Sequence, residues 1–468
     1  MRFAVIFFLA FGYITCFAQN KQVLYGFSEV PQSLLINPGS KVPQKKHFGI
    51  PIFSQIHING GSSGVSVYDI FGATQESINT KIERAIFKMK NTDFFTVTQQ
   101  LELINFGWRS QKEMYFSGGI YQELDFISYF PKDLAILAWE GNANYLDYPF
   151  DLGEISATGD LLTVYHFGAS KNISNKLTLG ARAKIYSSIM SFRSTNNQGT
   201  FVTRLADSNS DNIYEHRVSD VDLQLETSGI ASLQDNFSGS DLLSRAFLGG
   251  NLGVGLDLGA TYAITSNWTA SASVIDVGVI FHRKDVETYR ATGDYVLNGI
   301  ELLFPPLSEG EPTFPYYDDL EDEIEREIPI DTLYNAYSQL RPVKINAGIQ
   351  YSFGKIAGNS GECDCLNKGG AVDREQAVGL QYYSIVRPKG PQMAGTIYYY
   401  RKLFSGLAAK LTYTVDSFSY SNIGGGIVGD FGIFNFYLAA DNMLHYGNLA
   451  KAKSVSLQLG FNIKIYDE

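Results

Sequence analysis

Along SVSLQLGFNIKI, Val455, Leu457, Leu459, Phe461, Ile463 and Ile465 share one parity, and Ser454, Ser456, Gln458, Gly460, Asn462 and Lys464 share the other. A period of two marks a strand with one apolar and one polar face. NLGVGLDLGATYAI repeats the pattern, with Leu252, Val254, Leu256, Leu258, Ala260, Tyr262 and Ile264 alternating against a polar or glycine set that includes Asp257. KLTLGARAKI and PVKINAGIQYSF obey the same rule and put Arg182, Lys184 and Lys344 on the polar parity, as LAAKLTYTV does Lys410. In NWTASASVIDVGVIF the apolar parity switches near Ile275 and Asp276, which predicts a bulge that re-phases the strand.

These runs extend over roughly 10 to 15 residues, against ~5 to 6 in globular sheets and ~9 to 11 for a tilted strand crossing a bilayer. A soluble sandwich alternates too, but strands this long can lie in lipid only if the sheet closes, because an open edge there leaves backbone groups unpaired. Candidate crossings begin near residues 48, 97, 113, 160, 176, 250, 268, 343, 374, 392, 408, 419, 432 and 454, about fourteen in all. An even count returns the C-terminus to the periplasmic side. Tight turns at 172–175, 265–267 and 429–432 then fall in the periplasm, and the long connections 59–96, 128–159, 192–249 and 284–341 fall outside. TFVTRL and RVSDVDLQLET read as a hairpin above the membrane, and residues 76–90 and 131–140 read as short outer helices. The expected fold is all-β: a transmembrane antiparallel outer-membrane barrel of about fourteen strands over residues 47–468.

The first residues change the picture in one respect. MRFAVIFFLAFGYITCFAQN has the basic start, apolar run and small residues of a cleaved secretory signal over residues 1–18. Residues 19–46 then form a periplasmic or lumen-plugging segment, too broken by Pro31, Pro38 and Pro43 to span. Leu34, Leu35, Ile36, Asn37, Pro38 and Gly39 are its hatch candidates, with Lys45 and Lys46 near the interface. The 45 Gly, 29 Tyr and 32 Phe are spread along the whole chain with no linker, which argues for one continuous architecture. The net charge of −11 disfavours nucleic acid as a partner.

Candidate chemistry is sparse. The polar-parity residues Arg182, Lys184, Asp257, Lys344, Lys410, Asp416 and Lys464 are expected to face the lumen, since a charge facing lipid at mid-bilayer costs ~2 to 4 kcal/mol. They either line a water-containing interior or pair with one another and stabilise a plugged barrel. Asp318, Asp319, Glu321, Asp322 and Glu323 are dense enough to attract Ca²⁺ but match no EF-hand spacing, so a solvated acidic loop is the simpler reading. Cys363 and Cys365 could hold a soft metal or form a labile disulfide, with no His or third Cys nearby to complete a zinc site. No cofactor is implied. His282 and Asp285 are nominal catalytic candidates only, and the chain is read as a non-enzyme.

YFPKDLAILAWEGN, together with SLLINPG and FSYSNIGGGIVGDFGIFNFYLAADNML, resembles a family of uncharacterised outer-membrane barrels of Bacteroidota. More distantly the Asn-Pro corner and strand count are similar to long-chain fatty-acid transporter barrels and to barrels of the type IX secretion apparatus. The resemblance implies two jobs. One is a gated passage for small solutes, apolar ones among them, across the outer membrane. The other is a non-transporting platform, embedded in outer-membrane lipid, whose outer loops bind a secreted or envelope protein.

Overall fold

The computed structural model describes residues 22–206, 212–235, 238–297, 323, 325–356 and 374–466. Residues 1–18, Cys363, Cys365 and Asp318, Asp319, Glu321 and Asp322 lie outside them.

Fourteen antiparallel staves close into a barrel. They are β1 (Lys46–Gly49, resuming as Ile56–Ser62), β2 (Phe94–Arg109), β3 (Met114–Tyr129), β4 (Ala157–Asn172), β5 (Leu177–Ser194), β6 (Asn251–Ala263) and β7 (Trp268–His282). The circuit continues through β8 (Tyr337–Leu340 with Lys344–Ile356), β9 (Arg374–Ile385), β10 (Gln392–Phe404), β11 (Leu407–Val415), β12 (Asn422–Phe431), β13 (Phe434–Asp441) and β14 (Ser454–Ile465). Closure is made by β14, which pairs with β13 on one side and with β1 on the other, Lys46 opposite Ile465 and Ile56 opposite Leu459.

The alternation sorts the two faces. Along β6, Leu252, Val254, Leu256 and Leu258 are exposed on the outer wall while Asp257 between them is fully buried. Trp108 stacks at 5.4 Å on Phe116, which stacks at 6.0 Å on Phe167, and Trp268 lies 4.9 Å from Tyr351. These rings sit near the tight turns, where an interfacial girdle belongs. No described helix is long and apolar enough to cross a membrane. A closed, apolar-walled barrel spans by its strands, and the protein resides in the outer membrane with both termini facing the periplasm.

Two irregularities matter. At β7 the ladder jumps from Leu256 opposite Val277 to Leu258 opposite Val274, so Ile275 and Asp276 form the bulge that the parity switch predicts, with Asp276 at φ +63°. β1 carries a larger surplus: between Gly49 and Ile56 the chain loops outward at Pro51, Ile52 and Phe53 and turns inward at Ser54 and Gln55. The ladder survives this detour, because Ile50 N–H donates to Phe461 O (3.1 Å) and Phe461 N–H to Phe53 O (2.9 Å).

On the outer side, Gln198–Leu205 and Tyr214–Ser228 pair as a hairpin, whose second arm joins β5 at Ser191–Arg193 and then Val286–Leu297. Helices occupy Val67–Phe71, Ile78–Lys88 and Lys132–Glu140. The first is closed by a reciprocal Ser66–Asp69 capping box, and Pro131 stands at the N-cap of the third.

Candidate functional site: the plugged lumen

Residues 22–44 pack against the inner faces of the staves, and Lys45 already joins the wall, donating its N–H to Ile465 O (2.8 Å) and accepting Arg109 N–H (2.7 Å). The segment makes two short 3₁₀ turns, Gln22–Leu24 and Pro31–Leu35, the second started by Pro31, and it satisfies its backbone locally, through Ser33 N–H to Val30 O (3.0 Å) and Ser40 N–H to Asn37 O (3.0 Å). Leu24, Tyr25, Phe27, Val30 and Ile36 form an apolar cluster with Ala408, Val428 and Tyr437 of the wall, and Leu35 packs on a second cluster around Tyr121 and Tyr186.

The Asn-Pro-Gly corner has a prepared seat. Asn37 Oδ1 accepts Gly39 N–H at 2.9 Å, which sets the turn. The corner faces Gly180 of β5 and Gly259 of β6, directly paired across the ladder. A Cβ on Gly180 would stand 2.0 Å from Pro38 O, and one on Gly259 would stand 2.1 Å from Asn37 Oδ1. Only a bare backbone on both staves admits the corner. Ser273 Oγ closes this side by donating to Ile36 O at 2.6 Å.

Polar clamps hold the segment around the rest of the ring. Gln32 donates to Glu102 Oε2 of β2 (2.8 Å) and exchanges bonds with Asn462 of β14 (2.9 and 3.1 Å). Behind Glu102, Asn105 donates to Oε1 at 2.7 Å and is bonded in turn to His47 Nε2 at 2.8 Å. Arg182 donates to Leu34 O, Lys410 to Tyr25 O, Tyr400 to Glu29 Oε1, and Lys464 to Glu29 O at 2.8 Å.

Beyond the segment, toward the outer side, charges form a continuous lattice across β3 to β8. Arg182 reaches Asp257 (3.2 Å), and Lys184 bridges Asp257 (2.9 Å) and Asp276 (2.6 Å). Lys344 joins Asp276 (2.9 Å) to Glu123 (3.3 Å), and Arg341 joins Glu123 (2.9 Å) to Asp160 (3.3 Å). Arg387 pairs with Asp125 at 2.8 Å in bidentate geometry. Two small cavities, about 40 and 30 Å³, share Gln100, Glu123 and Lys344 as lining; the first touches Leu35 and Ile36, the second Arg387 and His57.

The residues singled out from the sequence thus divide into three groups. Arg182, Lys184, Asp257 and Lys344 belong to the lattice. Lys410 and Lys464 hold the N-terminal segment, with Lys464 also 2.6 Å from Asp430. Asp416 is apart, in the outer turn after β11, where it accepts Phe418 and Ser419 N–H (2.9 Å each) and Asn422 Nδ2 (2.9 Å); burial pushes its carboxyl up to about 6. Leu34 to Gly39 are all in contact with the wall or buried beside it. The sequence reading missed Gln32, Glu102, Glu123, Asp125, Asp160, Asp276, Arg341 and Arg387.

The nominal His282 and Asp285 do not meet: His282 Nδ1 is bonded to Ser228 Oγ (2.6 Å), and Asp285 to Ser232 Oγ and Arg245. Glu323, on the edge of the acidic loop, lies 3.9 Å from Arg326. Among the described residues no group of three His, Cys, Asp or Glu is placed to hold a metal ion.

The sequence model of a family described as "Family of unknown function (DUF5723)" matches residues 38–441, and the chain belongs to that family. No curated protein matches it. Among solved structures, similarity is found to the toluene transporter TbuX of Ralstonia pickettii, at 10% identity and TM-score 0.39, covering 94% of this chain and 95% of that one. A Pseudomonas aeruginosa FadL homologue is similar at 9% identity and TM-score 0.42, covering 97% and 100%. The toluene transporter TodX of Pseudomonas putida is similar at 10% identity and TM-score 0.38, covering 96% and 98%.

Proposed function

We propose that this barrel is a gated passage for small solutes across the outer membrane, with residues 22–44 as its gate. The observation that carries the reading is the way the segment is held. Its fixings are hydrogen bonds, a shape fit to bare backbone and the apolar contacts of Leu24, Tyr25, Phe27, Val30 and Ile36, spread over strands on all sides of the lumen, with no cysteine in the segment to tie it and no strand pairing before Lys45. Such a plug is seated firmly by separable contacts, its neutral hydrogen bonds contributing ~0.5 to 1.5 kcal/mol each against water and those to Glu102, Arg182, Lys410 and Lys464 ~1.5 to 3 kcal/mol, and nothing covalent has to break for it to leave.

The lattice beyond the plug bears on solute class. A lumen lined by Lys184, Arg341, Lys344 and Arg387 against Glu123, Asp125, Asp160 and Asp276 favours polar, water-borne solutes, since moving an apolar solute past it would displace charge-assisted bonds without replacing them. The apolar solute suggested by family resemblance is therefore the less favoured choice. The signal peptide over residues 1–18 is kept as part of this proposal, because the barrel has to be exported.

Planar-bilayer conductance of the full chain and of a form lacking residues 22–44 tests the gate. The full chain is expected to be closed or to open rarely, and the truncated form to conduct steadily. A truncated barrel that folds, shown by heat-modifiable migration, and yet does not conduct would end the passage reading. A second reading, a surface platform, is supported by the outer sheet that Gln198–Leu205, Tyr214–Ser228 and Val286–Leu297 build on β5. Cross-linking from that sheet to a secreted or envelope protein, with no conductance in either form, would favour it.

A further inference from the structure

At the periplasmic end, below the plug, lies a cavity of about 810 Å³ whose charge runs against the rest of the chain. Among the described residues its lining includes six cations, Lys41, Arg109, Lys171, Lys176, Arg374 and Lys402, against three carboxylates, Glu29, Glu113 and Asp430. Those carboxylates are already engaged: Glu113 lies 3.6 Å from Arg109, Asp430 lies 2.6 Å from Lys464, and Glu29 accepts the Tyr400 hydroxyl. Lys171, Lys176 and Lys402 make no ion pair among the described residues, and the Nε of Arg374 is buried without a hydrogen-bond partner. A protein with net charge −11 has every statistical reason to present acid here, and it presents base.

We propose that this vestibule is a binding site for a small anion carrying two or more negative charges, reached from the periplasm. A concave, low-dielectric wall of one sign focuses its field and raises the local concentration of counter-ions. Ser40, Lys41, Val42 and Pro43 of the plug form part of the lining, and Arg109 donates to Val42 O. A bound anion therefore touches wall and plug together and favours the seated plug over the released one. The site stands whether or not the lumen ever opens.

The test is calorimetric titration of citrate into the detergent-solubilised full chain at low ionic strength, with spermidine as the cationic control. Citrate is expected to bind, to weaken as salt is added, and to bind about tenfold more weakly to Lys171→Glu/Lys176→Glu/Lys402→Glu. The neutral variant Lys171→Gln/Lys176→Gln/Lys402→Gln serves if charge reversal impairs folding, and should fall between the two. Absence of citrate binding, equal binding by the triple variant, or equal binding of spermidine would each overturn the proposal. Since conductance plays no part in this measurement, failure of the passage reading leaves it standing and its own failure leaves passage intact.

Discussion

Replacing Gly180 by alanine isolates the seat of the Asn-Pro-Gly corner from everything else in the barrel. In a strand, glycine to alanine ordinarily stabilises by about 0.5 to 1 kcal/mol, because the unfolded chain loses freedom. Here the new Cβ would stand 2.0 Å from Pro38 O and 2.3 Å from Pro38 C, so the corner has to retreat by more than about 1 Å before ordinary contact is restored. Asn37 reaches Ala260 O at 3.4 Å and Thr261 Oγ1 at 3.5 Å, bonds already at their limit, and Ser273 holds Ile36 O beside them. Losing two or three such bonds weakens seating by ~2 to 3 kcal/mol, which raises the released fraction roughly 30- to 150-fold. Single-channel recording should show open events more frequent by that order, and residues 31–43 should become cleavable by protease added to the periplasmic face. The control is Gly395→Ala in β10, whose Cβ meets nothing within 4 Å and which should leave gating alone. If Gly180→Ala matches wild type and this control in both assays, the glycine pair is not a seat and the corner is not the part that moves.

Other outcomes follow from the same contacts. Gln32→Leu strips the bonds to Glu102 and Asn462 and should raise open probability while heat-modifiable migration of the barrel stays unchanged. Lys184→Met leaves Asp257 and Asp276 short of a shared cation in a site where all three side chains are at most 2% exposed, and should lower stability by ~3 to 5 kcal/mol in urea titrations in lipid vesicles. Lys184→Met/Asp276→Leu should recover part of that loss, and failure to recover any would show the lattice to be held by Asp257 alone. Leu258→Arg puts a charge on the outer wall and should lower folding free energy into vesicles by ~2 to 4 kcal/mol, whereas no change would contradict the lipid-facing assignment of that parity.

The barrel was legible because its physics is periodic. Each stave must turn apolar side chains to lipid and keep backbone bonds within the sheet, so alternation, stave length and even count are all written locally. The same holds for Ile275–Asp276, where the pattern itself skips a step. The contents of the lumen are another matter. Glu123 and Asp125 share a parity with Tyr121 and Ile127 in IYQELDFISY, a signal present but diluted by apolar residues that face inward, Tyr121 in the cluster that Leu35 packs on and Ile127 against Phe94 and Phe418. Gln32 looks like any loop glutamine until the fold brings β2 and β14 to either side of it. Gly180 and Gly259 are two of 45 glycines, and only the paired register reveals that they are one feature. Separations of 430 residues, as between Gln32 and Asn462, leave no trace in local pattern.

Because Gln32 is bonded to β2 and to β14, which flank β1 on either side, the clasp that fixes the plug is completed only when the last stave meets the first. A segment already present when β14 docks is enclosed and clasped by the same contact. Wall closure and completion of the clasp therefore depend on one meeting, of the last stave with the segment that precedes the first. A barrel stalled before β14 docks should show residues 22–44 still open to protease, with the remaining staves already paired.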